Sequence, residues 1–432
     1  MVIVGIFFAS LLAYALFSRP LDKRSVTAQI VVLGSGVGFG FLLQASLGMT
    51  IDATMLGAAG ELALILALVV DAARINIRAL RRSARLPIRL LVIGLPLTIV
   101  AGTMVAIVVL PGITLVDAVI VATLLAPTDA ALGAMVVNST VVPRRIRQAI
   151  NVESGLNDGL VTPIVLVAAS LAVAGSAAPS GEPTWIADAI AEISLGAGAG
   201  VIVGVFGALA LRIAVDRRWM QDNTHWMAAP AVGLLAWFLA HEVGGNVFVA
   251  AFAAGLAMTA AYGRIPRAFL EFAELGGELA GLIVFFLFGS LLVGMAGAVS
   301  VQVVIYAVLS LTVVRMLPVA ISLVGSRLRP RTVLFIGWFG PRGLASIVLT
   351  LVALGDGGGA PPFGATIVTT VAATIALSVI LHGLSAGPAV MRYGSYMATL
   401  PDDAAELKQT TALRTRRGVG RPAATGDGVA PT

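Results

Sequence analysis

Cysteine is absent from the 432-residue chain, which excludes disulfides, thiolate metal sites and cysteine nucleophiles together. Histidine is scarce: His225, His241 and His382 lie too far apart to show a metal-ligand spacing. Charge is scarce as well, at 12% of residues against about 25% in soluble domains. Hydrophobic residues make up 58% of the chain, so it reads as an all-α polytopic membrane protein. Its length would permit more than one soluble domain, but nearly every apolar run is long enough to cross about 30 Å of hydrocarbon.

Thirteen such runs are expected as spans, at about 1–18, 25–47, 53–70, 88–110, 114–137, 148–173, 189–215, 224–243, 245–263, 274–295, 299–325, 332–355 and 363–387. The first lacks a basic leader, so it reads as a true span rather than a secretory signal. All of the 28 lysines and arginines except Arg315 and Arg342 fall beside the odd-numbered connections or in the tail. The formal charge of +6 is therefore a matter of orientation, not of nucleic acid: the N-terminus is expected outside and the C-terminus in the cytoplasm. The stretch Ala73–Arg82 reads equally well as a basic amphipathic segment on the anionic leaflet or as a solvated loop. From 388 to 432 the composition predicts a disordered cytoplasmic tail.

What is present in the middle of the spans is harder to account for as packing. Span five carries Ala126-Pro127-Thr128-Asp129, and span six carries Glu153-Ser154-Gly155-Leu156-Asn157-Asp158. A charge at the centre of a spanning helix costs at least about 2.5 to 3.5 kcal/mol, and such residues mark ion paths and proton relays. Pro127 breaks its helix, and Thr128 or Asp129 can cap the helix that restarts. Span twelve repeats the device with Gly337-Trp338-Phe339-Gly340-Pro341-Arg342-Gly343. Broken helix at that depth survives only when it is buried in protein or lines a wet cavity.

If span seven links two six-span halves, spans five and twelve are equivalent members crossing in opposite directions. That is an inverted repeat, with broken helices five and twelve meeting at the midplane, the usual place of a secondary transporter's binding site. In span six, Ser154 and Asp158 share one face, while Glu153 and Asn157 share another about 100 degrees away. A buried Glu153 needs a cation, and Arg315 is the preferred partner; Arg342 is left for the half-helix dipoles and Asp129. Glu61 and Glu278 read as capping or interface residues rather than as part of the path. Gly196, Gly198, Gly200, Gly204 and Gly207 read as close helix packing.

Together, the Thr128-Asp129 break, Asn157-Asp158, Arg315 and Gly340-Pro341-Arg342-Gly343 resemble the CPA1-group monovalent cation:proton antiporters, the NhaP-like sodium/proton exchangers, over residues 1–387. One departure is Ala130, where many relatives carry proline. The resemblance implies a homodimer, a scaffold of about 1–70 and 224–295, a moving core of about 88–173 and 299–387, and a linker helix at about 189–215. It implies a plasma-membrane transporter that is no enzyme and has no cofactor, exchanging Na+ for H+.

The residues suit that chemistry. Asp158 can hold either a proton or a cation, so competition for one group couples the two flows. Ser154 and Thr128 offer further oxygen ligands. With asparagine at 157 a single acid titrates in the pair, which predicts electroneutral one-for-one exchange. Potassium for proton is the nearest alternative, with a cation channel and an intramembrane hydrolase using Asp129 and Asp158 as remoter ones.

Overall fold

The computed structural model describes residues 2–47, 53–75, 85–176, 185–263, 265–354, 365–401 and 403–408. Most of the Ala73–Arg82 stretch, the outer connections around 177–184 and 355–364, and the tail from 409 onwards lie outside the described residues.

The described chain is helical, with no strand among the described residues. The helices begin with α1 (Val2–Lys23), α2 (Ala28–Leu47) and α3 (Ala53–Ala73). Next come the short α4 (Arg85–Arg89), α5 (Leu95–Val109), α6 (Leu115–Leu124), the single-turn α7 (Ala134–Val137) and the long α8 (Arg144–Ser176). The middle of the chain forms α9 (Trp185–Asp216), α10 (Ala228–Glu242), α11 (Val247–Tyr262) and α12 (Arg267–Met295). The last group is α13 (Val301–Leu311), α14 (Val313–Ser322), α15 (Pro330–Trp338), α16 (Leu344–Leu354) and α17 (Ala365–Met397). Among the described residues, eight helices or near-continuous helical runs are long and apolar enough to cross a membrane by themselves.

Both expected breaks are present. The chain leaves helix after Leu124 and re-forms one turn at Ala134, and it leaves helix again between Trp338 and Leu344. Two further irregularities lie outside the breaks expected from the sequence. Leu90–Gly94 is a π-helical turn between α4 and α5. It lies just ahead of Pro96, which has no N–H for the next turn, and a π-turn is one way a helix absorbs such a mismatch. Span eleven is interrupted at Thr312, with φ −108° and ψ −91°. The Thr312 hydroxyl donates to the Val308 carbonyl at 2.6 Å, the back-bonding that bends helices at threonine.

Some ends also move. Helix α8 starts at Arg144, so the basic residues expected in the preceding connection form its first turn. The tail expected to be disordered from 388 is instead helical to Met397. Beyond it, Glu406 accepts hydrogen bonds from the Arg329 N–H at 2.7 Å and from the Thr332 hydroxyl at 3.1 Å. Arg145 also donates to the Ala405 carbonyl. The start of the tail is ordered because Val390, Tyr393 and Met397 bury their side chains in a cluster with Phe335 and Ile336, and polar contacts with distant helix ends hold the residues after it.

Glycine controls the closest packing. A Cβ on Gly196, Gly200 or Gly204 would strike the backbone of Asn246, Ala250 or Ala254, so one face of α9 lies directly on α11 at four-residue steps. Gly198 faces open space, so it belongs to no such contact. Between α12 and α2, Ser290 donates to the Gly36 carbonyl at 2.9 Å. The helices α2, α3, α11 and α12 pack together, while α6 packs on α5 and α13 on α17. The site lies between the first of these groups and the two breaks, beside α8.

Candidate functional site at the crossing of two interrupted helices

The two breaks meet. The Asp129 N–H donates to the Pro341 carbonyl at 2.7 Å. In return, the Leu344 N–H at the start of α16 donates to Asp129 Oδ2 at 2.9 Å. The other carboxylate oxygen, Oδ1, accepts from the N–H groups of Ala131 and Leu132 at 2.7 and 3.3 Å. Asp129 thus holds the turn after the first break through Oδ1 and the first amide of α16 through Oδ2, satisfying amides that would otherwise be orphaned in hydrocarbon; the helix restarting at Ala134 has Gly133 at its N-cap and no side-chain cap.

Arg342, fully buried, serves the opposite pole. Its Nη1 donates to the Ala126 and Pro127 carbonyls at 2.9 and 3.1 Å, just beyond the negative end of half-helix α6. Its backbone N–H donates to the Ser378 hydroxyl of α17 at 2.7 Å. Of the two partners expected for Arg342, the dipoles and Asp129, the side chain takes the first. It bonds the carbonyls, and backbone amides hold Asp129.

Arg315 Nη1 meets Glu153 Oε1 at 2.6 Å, with both side chains 3% exposed. This is the pairing expected from the sequence, and it ties α14 to α8. The two outer glycines of Gly340-Pro341-Arg342-Gly343 make room for these charges. A Cβ on Gly340 would collide with the Arg315 guanidinium, and one on Gly343 with the Asp129 carboxylate. The motif is therefore glycine-rich where polar side chains must approach its backbone.

Asn157, Thr128 and Ser154 form a buried hydroxyl–amide cluster. Asn157 Nδ2 donates to Thr128 Oγ1 at 2.7 Å, and the Thr128 and Ser154 hydroxyls are 2.9 Å apart. This clips α8 to the break in span five. It also means that the two hydroxyls expected as ion ligands are bonded to each other here.

Asp158, on the same helix, is half-buried on a cavity that opens between two groups of helices. Asp129, Ala130, Ala131, Asp158 and Leu344 form one wall. The other wall comes from Gln29 of α2, Asp71 of α3 and Glu278 of α12, with small residues such as Ala67, Gly277 and Gly281 between them. Four carboxylates border one space, a surface suited to a cation and hostile to an anion.

Sequence reasoning misses Asp71, because it sits after the last apolar residue of its run and so reads as part of a connection. Helix α3 continues to Ala73, and so carries it inward. Its spacing of three from Arg74 is the available signal. Glu278 reads as an interface residue, yet it lines the cavity. Glu61 does serve an interface, accepting from Trp237 Nε1 at 2.6 Å.

The family model described as "Sodium/hydrogen exchanger, transmembrane" matches residues 6–392. Two solved structures of the sodium proton antiporter MjNhaP1 from Methanocaldococcus jannaschii share the fold. The one at pH 8 is 21% identical, covers 91% of this chain and 99% of that chain, and gives a TM-score of 0.70. The other, a three-dimensional electron-microscopy map, is 20% identical, covers 90% and 97%, and gives 0.67.

Proposed function

The chain belongs to the sodium/hydrogen exchanger family, a family of membrane transporters rather than enzymes, and on that premise we propose that it exchanges Na+ for H+ at Asp158, one for one and without net charge movement. A single observation carries the reading: Asp158 borders a cavity floored by the crossing of two interrupted helices. A carboxylate that meets water there can lose a proton, take a cation in its place, and release it when the cavity opens to the other side.

Each flow needs the other. With a proton on Asp158 the site has no charge to hold Na+, and with Na+ bound the proton is displaced. Ser154 and Thr128 complete the ligand set with their hydroxyl oxygens once the ion enters, since Ser154 lies one turn from Asp158 on the same face of α8. Asn157 supports the reading by holding Thr128 in place without adding a second titrating group.

The assembly follows the same logic. Thirteen spans form two inverted six-span halves, with a core of about 88–173 and 299–387 moving against a scaffold of about 1–70 and 224–295. Helix α9 connects them as the linker, and the cavity lies on the seam. The protein works as a homodimer in the plasma membrane, N-terminus outside and C-terminus in the cytoplasm, and requires no cofactor.

The test is a proteoliposome carrying a trapped pH dye. Adding sodium should move protons without generating a voltage, whereas potassium and lithium additions report selectivity. A robust transport-driven voltage would overturn the one-for-one stoichiometry. A response to potassium but not to sodium would replace the substrate.

A further inference from the structure

A cation stands behind the cavity wall, next to Asp71. Arg74, just past the last turn of α3, is paired through Nη2 with Glu274 of α12, and its Nη1 stands 3.9 Å from Asp71 Oδ1. That separation is too long for a hydrogen bond, and Nη1 is buried without a hydrogen-bond partner among the described residues. Glu274 holds the guanidinium one step short of Asp71. The Arg74 and Asp71 side chains are 9% and 11% exposed, so water screens their charges only partly.

Asp71 in turn faces the site. It lines the cavity with Asp129, Asp158 and Glu278, and its Cβ lies 3.4 Å from where a Cβ on Gly155 would stand, three residues before Asp158 on α8. The guanidinium is therefore one side chain removed from the space the ion must enter.

We propose that Arg74 is a tethered competitor for the transported cation: it sets the sodium affinity of the cavity by offsetting part of the acids' negative potential, without touching the ion. The inference rests on the exchange reading above. The effect is an offset in affinity rather than a change in the ligands of the ion. Glu274 tempers it by drawing the guanidinium back and by countering its charge.

Charge and mere bracing predict different signs. Removing Arg74 deletes a positive charge beside the cavity, and removing Glu274 deletes a negative one, although both changes break the same ion pair. Sodium titrations in dye-loaded proteoliposomes should give Arg74→Gln a KM lowered about fivefold, the scale of a partly screened ion pair, at an unchanged maximal rate. Glu274→Gln should raise KM by a similar factor, and Arg74→Lys should stay near the wild type.

Shifts of both neutral variants in the same direction, or an unmoved KM in both, would overturn the proposal while leaving exchange intact. Should Arg74→Gln fail to fold, the sign for Glu274→Gln alone decides. A wild-type protein that moves no protons on adding any alkali cation would instead sink the exchange reading, and this inference with it.

Discussion

The crossing and the cavity wall put their charges to different uses. At the crossing, Glu153 is matched by Arg315, Asp129 is held by three amides, and Arg342 reaches two carbonyls. These charges are the means by which two broken helices are fastened together inside hydrocarbon. On the wall, Asp158, Asp71 and Glu278 border open space, with small residues between them. Asp129 belongs to both regions, fastening the crossing with its carboxylate while also forming part of the lining. Burial against fixed partners yields architecture, and contact with water yields a group that can exchange its partner.

The contrast can be broken most severely at Asp158. Asp158→Asn should abolish sodium-driven proton movement in proteoliposomes while the unfolding profile in detergent stays close to the wild type. Loss of folded protein in that variant would erase the distinction between the two regions.

Next in size is Glu153→Gln, which leaves the Arg315 charge buried without its carboxylate and should cost about 3 to 5 kcal/mol of unfolding free energy. Adding Arg315→Gln should restore part of the loss. Strict additivity in the double-mutant cycle would show that the pair does not act as one unit.

Asp129→Asn keeps the size and one acceptor, but turns an NH2 group towards an amide that now donates to a carboxylate oxygen. A loss of about 1 to 3 kcal/mol is expected, with sodium affinity falling less than stability does. A larger effect on affinity than on stability would move Asp129 from the crossing to the wall.

The smallest expected effect is at the cytoplasmic end. Glu406→Ala removes the acceptor for Arg329 and Thr332 and should cost about 1 kcal/mol, the usual scale for losing a helix cap. Exchange rates should be unchanged.

How much of this is legible in the sequence depends on how local each signal is. The breaks at Pro127 and at Gly340-Pro341 can be read directly, because proline, glycine and charge inside an apolar run all disfavour an unbroken spanning helix. The Glu153–Arg315 pairing can be reasoned out, since a buried acid requires a cation and only two intramembrane arginines are available. The Thr312 interruption cannot, because a threonine hydroxyl bonding its own helix leaves little trace in composition. Nor can the docking of Glu406 on Arg329 and Thr332, which joins residues far apart in the chain. Asp71 is lost to a helix end misplaced by only a few residues. The hydroxyl cluster of Thr128, Ser154 and Asn157 shows its membership in the sequence but not its wiring.

The central claim is that proton and sodium compete for one carboxylate. Sodium binding to the detergent-solubilised protein, followed by calorimetry across a pH series, tests it without requiring transport. The account predicts that one proton leaves for each sodium bound and that the apparent Kd rises roughly tenfold per pH unit on the acidic side, with no binding to the Asp158→Asn variant. A Kd independent of pH, or sodium binding that survives in that variant, would contradict it.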